Sequence, residues 1–347
     1  MTGKPPPKRV TIADVAREAG VSRTTVSHSL NGLGQVDPRT RERVRETAAR
    51  LNYRPSVRAQ RLRSGRSQAL ALLSSMPAAV SGGPSQLGFF TELAMGCART
   101  ALLRGYVFVL APPDAEGNPV AQLDIDGAIV LEPQPEDPIE KELAARGIPC
   151  VTIGGSMGAL NIDLHHAETA SLILGHLRER GSRHPALIMG TSGRAAQTAA
   201  LAQYRELAGR TGFEPVVVEV PESEGESGGH LAAARILAEH PGVDSLFVPI
   251  DAFATGAARA GAEAGLTIGS ELLVATRYDG LRAQTSVPPL TAVDLHLGEV
   301  SSQAVDLILK VLGDAQEQST STAAQLPSLV RRASTAGREV LLQDQMR

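Results

Sequence analysis

Tryptophan is absent from the 347 residues, and aromatic residues reach only 3%. The cores must therefore be built from Ala, Val, Leu and Ile, a composition that suits the buried strands of parallel sheets. Only two cysteines occur, Cys97 and Cys150, both in apolar surroundings, which excludes a disulfide framework and points to reduced core residues. No run of 18 or more apolar residues exists, so no membrane-spanning helix is expected. The opening MTGKPPPKR is a polar, Pro-rich arm without the apolar stretch of a signal peptide, and a cytoplasmic location is expected. Signatures of catalysis are also missing. No GxGxxG follows a strand-like run, and GTSGR at 190–194 is too short for a phosphate loop. His165 and His166, beside Glu168, are adjacent and so face different sides of a helix, which argues against a metal site. The chain is read as a non-enzyme with no catalytic residue, no metal and no cofactor.

What is present is a division of charge. Residues 1–66 carry 15 Lys and Arg against 5 Asp and Glu, a net charge of +10, while the remainder carries 19 against 32, a net charge of −13. The basic end can neutralise phosphates and release counterions; the acidic body resists lying on a polyanion.

The basic end is also patterned for helices. Thr11 opens a capping-box pattern with Asp14, and Ile12, Val15, Ala16 and Ala19 form one apolar face that Gly20 terminates. Val21 can plug the corner, and Ser22 is a good cap for a second helix with Val26 and Leu30 inward. A helix, a short glycine-containing turn and a second helix make the helix-turn-helix plan. The outward residues of the second helix, Arg23, Thr24, Thr25, Ser27 and His28, are types that read base edges or hold phosphates, and no acidic residue lies between Glu18 and Asp37. A third helix is expected from the Asp37 cap and Pro38, with Val44, Ala48 and Leu51 inward. Its arginines 39, 41, 43, 45 and 50 are divided between phosphate contact and pairing with Glu42 and Glu46. Residues 56–64 form a short segment with little apolar surface, either a linker or an element that folds against something else.

The runs TIADVAREAGVSRTTVSHSLNG and VDPRTRERVRETAARLNYRPSVRAQRLRSG resemble the DNA-binding head and hinge of the lactose-repressor/galactose-repressor (LacI/GalR) family. The resemblance implies a homodimer on a palindromic double-stranded DNA operator, with the second helix in the major groove and a hinge leucine wedged in the minor groove. Arg23, Thr24 and His28 match base-reading positions. Thr25 and Ser27 match phosphate or groove contacts, Asn31 and Tyr53 match head residues near the DNA backbone, and Thr11 joins this set. Ala59 matches the small hinge residue and Leu62 the wedge; an inserted side chain unstacks a base step and kinks the duplex. Many relatives carry Arg at the position of His28, so the base it reads is open.

Beyond residue 66, aliphatic runs at 69–73, 106–111, 127–131, 149–154, 185–189, 215–220, 243–248, 272–276 and 291–295 alternate with helical stretches. This predicts an α/β body of doubly wound parallel sheets, in two lobes joined by crossing strands near 155–162 and 289–296. The stretch 112–126 looks too short for a full crossover helix. The boundaries expected are an arm at 1–8, disordered; a helix-turn-helix domain at 9–55; a hinge helix at 56–66; and an effector-binding and dimerisation body at 67–347. Within the body, lobe 1 takes about 67–158 and 292–320, and lobe 2 about 159–291 and 321–340.

The body resembles the family's effector domain, which is similar to periplasmic sugar-binding proteins. The resemblance implies a small-molecule effector, a sugar or another metabolite, in the cleft between lobes. The cleft departs from the family. Ile250-Asp251 stands where relatives have Asn-Asp, Tyr278 stands where a ligand-binding Asp often sits, and the usual Arg before the YRE run is replaced, with Ala200, Gln197 and Arg194 the nearest matches. The effector candidates are Arg194, Gln197, Asp251, Arg277 and Asp279, each with a surface or capping role as the alternative. The expected function is a transcriptional repressor under small-molecule control. The rivals are a ligand-independent DNA-binding regulator and a sensor or enzyme that the head only tethers.

Overall fold

The computed structural model describes residues 10–31, 34–53, 66–81, 88–111, 119–155, 160–313 and 322–337. The arm at 1–8 and hinge residues 56–65, with Ala59 and Leu62, lie outside them. The described chain divides into two compact units, Met1–Ser67 and Gln68–Arg347.

The first unit is all helical. Helix α1 (Ile12–Ala19) starts at Thr11, whose N–H and hydroxyl both donate to the Asp14 carboxylate at 3.0 and 2.7 Å. Gly20, at φ 66° in the left-handed region where a side chain would be strained, turns the chain out of the helix, and Val21 N–H donates back to the Ala16 carbonyl. Helix α2 (Arg23–Asn31) is capped by Ser22, whose Oγ accepts the Thr25 N–H at 3.0 Å. Helix α3 (Pro38–Arg50) is capped by Asp37, which accepts the Thr40 N–H. Val15, Ala16, Ala19, Val26, Val44 and Ala48 close the small core. Of the α3 arginines, Arg45 pairs with Glu42, while Arg50 reaches Glu18 of α1 at 3.0 Å rather than Glu46. Both are exposed pairs worth about 0–1 kcal/mol.

The second unit carries two parallel sheets. The first contains β1 (Ala69–Leu73), β2 (Val107–Leu110), β3 (Gly127–Leu131), β4 (Cys150–Ile153), β5 (Asn161–Asp163) and β11 (Thr322–Ala323), in the order β11-β5-β4-β3-β1-β2. The second contains β6 (Pro185–Gly190), β7 (Val216–Val220), β8 (Ser245–Val248) and β9 (Leu273–Thr276), in the order β7-β6-β8-β9. A two-stranded antiparallel ribbon, β10 (Ala292–Asp294) with β12 (Ser328–Val330), lies where the chain passes between the lobes.

Helices cover both faces of each sheet, as the wholly buried strands β1, β3, β6, β8 and β9 require. In β1, Leu70 and Leu72 enter one core while Ala69, Ala71 and Leu73 enter another. The same alternation splits β6, with Leu187 and Met189 on one side and Ala186 and Ile188 on the other. In lobe 1, α5 (Phe89–Leu103) and α12 (Leu297–Gly313) pack on the first face and α6 (Pro138–Ala145) on the second, with the short α4 (Ala78–Ser81) beside lobe 2. In lobe 2, α7 (His166–Glu179) and α8 (Ala195–Thr211) cover one face. The other is covered by α9 (Gly225–Glu239) and α10 (Asp251–Glu263), with α11 (Leu281–Thr285) against α10. One apolar cluster runs from β1 and β3 through β10 to β6 and β9, joining the lobes.

The lobe boundaries differ from those expected. β5 belongs to the lobe 1 sheet, so lobe 1 extends past 158 to Asp163, and β11, assigned to lobe 2, also joins that sheet beside β5. Strands of three and two residues have too little periodicity to signal themselves; backbone pairing with β4 places them. The stretch after β2 supplies only a 3₁₀ turn at Pro119–Gln122 among its described residues, in keeping with its shortness. Among the described residues no helix is long and apolar enough to cross a membrane.

Candidate functional site

Two surfaces concentrate the chemistry, one in each unit. On the first, α2 leaves Arg23 and Thr24 exposed and Ser27 and His28 half-buried. Thr25 is also half-buried, and its hydroxyl lies 2.8 Å from Ser22 Oγ within the helix cap. Thr11 is exposed at the start of α1; Asn31 is the last residue of α2. Tyr53 follows α3 and packs against the head core, where burial pushes its phenol pKa up. Val26 and Ser29 face inward, so the outward row of α2 presents cationic and neutral polar groups without an acid.

The second surface is the cleft between lobes, built from residues that follow strand ends. Ser75 lies beyond β1 and Glu132 beyond β3 in lobe 1. Arg194 lies beyond β6, Glu222 beyond β7, Asp251 beyond β8 and Arg277 beyond β9 in lobe 2. Carboxyl ends of parallel strands are where open α/β sheets bind ligands, because the chain there is free of ladder hydrogen bonds. Arg194, Gln197, Asp251 and Arg277 all line this cleft.

The lining is tied together across the lobes. Arg277 offers both Nη atoms to the two oxygens of Glu132, with Nη2–Oε2 at 3.1 Å; the two side chains are 10% and 4% exposed. Its guanidinium stacks over the Phe89 ring at 5.1 Å, a cation–π contact. Arg194, 2% exposed, donates from Nη1 to the Glu132 carbonyl, from both Nη atoms to Ser75 Oγ at 3.3 Å, and from Nε to Glu222 at 3.4 Å. Tyr278 donates its hydroxyl to Glu92 and packs edge-on against Phe89, with centroids 5.1 Å apart. Burial, then the neighbouring Glu92 carboxylate, raises the Tyr278 pKa, so it stays a donor. Only about 40 Å³ is left for water-sized molecules, room for about three waters at the usual 10–15 Å³ each.

Gln197 Oε1 accepts the Gly190 N–H at 3.1 Å. Asp251 accepts the Ala252 N–H on Oδ1, but its Oδ2 has no hydrogen-bond partner and the nearest cation, Arg282 Nε, is 3.9 Å away. Burial raises its pKa, with Arg282 and Arg277 pulling the other way. His166 completes the lobe 2 wall. Its Nε2 faces the Gly154 carbonyl and its Nδ1 faces Arg277 Nη1. That pair of partners fits only a neutral ring with the proton on Nε2, and burial lowers its pKa accordingly.

Asp279 does not belong to the cleft. It bonds Arg332, with Nη1–Oδ1 at 2.6 Å and Nη2–Oδ2 at 2.9 Å, and so anchors the segment after β12. An acid one residue beyond Tyr278 faces the other way in an extended chain, which spacing alone did not resolve. Sequence reasoning also missed Glu132, Glu222, Ser75 and Phe89. Their position just past strand ends, or at the start of α5, was the available signal for them. His165 and His166 are separately satisfied, His165 by the Ala324 carbonyl at 2.8 Å, and no His, Cys, Asp or Glu group suited to a metal occurs among the described residues. Cys97 and Cys150 are free thiols whose pKa burial pushes up to about 12, which leaves them inert.

Residues 11–56 match the family described as bacterial regulatory proteins, lacI family, and residues 174–335 match the periplasmic binding protein-like domain. The HTH-type transcriptional regulator CelR of Thermobifida fusca is 29% identical over 304 residues, 83% of this chain and 87% of that protein. The lactose operon repressor of Escherichia coli (strain K12) is 28% identical over 344 residues, 94% of this chain and 91% of that protein. Among solved structures, the lac repressor dimer bound to operator and the anti-inducer ONPF aligns with a TM-score of 0.74 at 25% identity, over 94% of this chain and 99% of that one. The CelR–cellobiose complex aligns at 0.66 and 25% identity, over 94% and 100%.

Proposed function

This chain belongs to the lacI family of bacterial regulatory proteins, and we propose that it works as a dimeric transcriptional repressor whose hold on a palindromic operator is set by a small molecule in the interlobe cleft. The observation that carries the reading is α2: a capped helix with Arg23 and Thr24 exposed, His28 beside them and no acid on its outward row, set in a domain of net charge +10. Arg can donate to guanine edges and the free nitrogen of a neutral His ring can accept from the adenine amino group, while the remaining cations hold phosphates. In this reading Thr11, Thr25, Ser27, Asn31 and Tyr53 position the head, and Ala59 and Leu62 form the hinge that kinks the site.

Dimerisation fixes the spacing of two heads. Its surface in this reading is the apolar strip of lobe 1, with Leu102 72% and Leu103 81% exposed on α5 and Val107 and Leu110 exposed on the edge strand β2. A contiguous apolar edge of this kind asks for a partner. The solved relatives include a dimer on operator and a complex with cellobiose, which supports both halves of the reading. The protein acts in the cytoplasm and catalyses no reaction.

The effector arm rests on Arg194, Gln197, Asp251 and Arg277, and ligand entry must part the lobes and so bias the hinge. A second reading has its own support: a cleft closed by its own side chains favours a regulator that needs no ligand.

The test is selection of duplexes from a randomised pool by the full-length protein, followed by titration of the winner and a scrambled duplex at several salt concentrations. The expected result is a palindrome bound roughly 10³-fold or more above the scrambled control, with affinity falling steeply as salt rises. A monomer with no preference for any palindrome overturns the reading.

A further inference from the structure

The closed cleft holds an unequal set of partnerships. When the lobes part, Arg194 keeps Glu222 and Arg282 keeps Glu226, since each pair lies within lobe 2. Arg277 keeps no hydrogen-bonded carboxylate: its one acidic hydrogen-bond partner among the described residues, Glu132, leaves with lobe 1, His166 beside it is neutral, and Asp251 acts on it only through space. A ligand seated between the parted lobes keeps water from Arg277, and a guanidinium shielded from water without its counter-charge is strongly disfavoured. Glu132 is itself held at φ 40°, a left-handed backbone conformation that a β-carbon resists, so the fold spends strain to present this carboxylate. Any molecule that opens the cleft must offer Arg277 what Glu132 offered, a planar anionic group that accepts two parallel N–H bonds.

We propose that Glu132 is a built-in occupant of an anion subsite at Arg277, and that the effector is a small carboxylic acid whose carboxylate displaces it. The effector also carries a hydrogen-bond donor, a hydroxyl or an ammonium, that meets Asp251 Oδ2; Asp251 is more than nine-tenths buried, and this oxygen has no hydrogen-bond partner in the closed cleft. The aromatic face of Phe89, under Arg277, and the phenol of Tyr278 then border the ligand's carbon skeleton. Neutral polyols lack the group that releases the latch. The inference rests on the reading of the cleft as an effector site.

The experiment compares glycolate and D-gluconate with D-glucitol and D-glucose at constant ionic strength, using the full-length protein and its E132Q, R277K and R277M variants. Binding is read by calorimetry and melting temperature. Loss of the internal competitor should make E132Q bind the acids about tenfold more tightly than the parent, as removing a roughly 90% populated closed state would. R277K, which keeps the charge but not the two-pronged geometry, should lose binding, as should R277M, while the neutral sugars leave every protein unmoved. The inference is overturned if a neutral sugar stabilises the protein as much as gluconate. It is also overturned if E132Q binds no more tightly than the parent, or if neither acid binds either protein. The same ligands added to the selected palindrome complex separate the two readings. Acid binding through Arg277 with unchanged DNA affinity supports the anion subsite and refutes effector control. A neutral sugar that changes DNA affinity, with E132Q behaving as the parent, does the reverse.

Discussion

The imidazole of His28 lies against Gly34: a β-carbon on Gly34 would sit 2.7 Å from His28 Nδ1. Gly34 has φ 65°, so a side chain there would be strained even in open space. The glycine turn after α2 thus sets where the histidine ring can stand. Gly34→Ala should push the ring from its place at a cost of about 1 kcal/mol in backbone strain. Affinity for the selected palindrome, read by fluorescence anisotropy, should fall while affinity for random DNA holds. A uniform loss would mean that Gly34 supports the head in general and not His28.

Leu62, the expected wedge, gives a second contrast. Leu62→Ala should weaken binding to the selected palindrome by about 1–3 kcal/mol, the usual worth of a specific contact, with little change on random DNA. A gel-shift series in which both fall together would remove the wedge from the account.

The lobe 1 strip makes an oligomer prediction. Leu103→Glu, at an 81% exposed position, removes no core packing and should leave the melting temperature of the free body nearly unchanged. Analytical ultracentrifugation should show a monomer, and palindrome binding should weaken strongly. A dimer that persists in both Leu102→Lys and Leu103→Glu places the interface elsewhere.

Helices α9 and α10 touch through glycine. A β-carbon on Gly229 would meet the Phe253 backbone at 2.3 Å, and one on Gly256 would meet the Glu226 carbonyl oxygen at 2.0 Å. Both partners are backbone and cannot swing aside. Gly229→Ala and Gly256→Ala should each destabilise the body by at least about 1–3 kcal/mol, the usual cost of overpacking, in urea titrations. Gly298→Ala, which meets nothing within 4 Å, serves as the control.

One half-buried and one buried histidine set a pH dependence. Burial holds both His166 and His176 below their ordinary value of 6.5. The unfolded chain therefore takes up protons first as pH falls, and stability should be full above about 6.5 and decline below it. Asp251 acts in the opposite sense, since its raised pKa lets the folded state hold a proton above the ordinary 3.8. Urea midpoints between pH 8 and 5 should fall, and the slope should flatten in His166→Asn. A stability that is level across that range would mean that neither ring is held neutral. His176 faces Thr335 Oγ1 at 2.7 Å, next to the ribbon between lobes, so its protonation should also loosen that crossing.

The local elements were legible because their causes are local. Thr11 with Asp14, Gly20, Ser22 and Asp37 each act within a few residues, and the aliphatic runs announce the longer strands by composition alone. The outward row of α2 followed from the same periodicity, and the resemblance carried by residues 9–65 then supplied the roles of its residues. The cleft was legible only in outline. Arg194, Gln197, Asp251 and Arg277 line it, Asp279 does not, and Glu132 was invisible as their partner.

Sequence alone, then, determined which of the longer segments are helix or strand, which end of the chain is cationic, and which face of α2 is free of acid. Tertiary structure decided the rest: that three-residue β5 and two-residue β11 join the lobe 1 sheet, that Asp279 belongs to Arg332, and that Arg277 closes on Glu132, 145 residues away. Capping and periodicity depend on neighbours three or four residues apart. A cross-lobe ion pair depends on where a chain that passes repeatedly between two sheets brings distant strand ends together, and no short window of sequence contains that information.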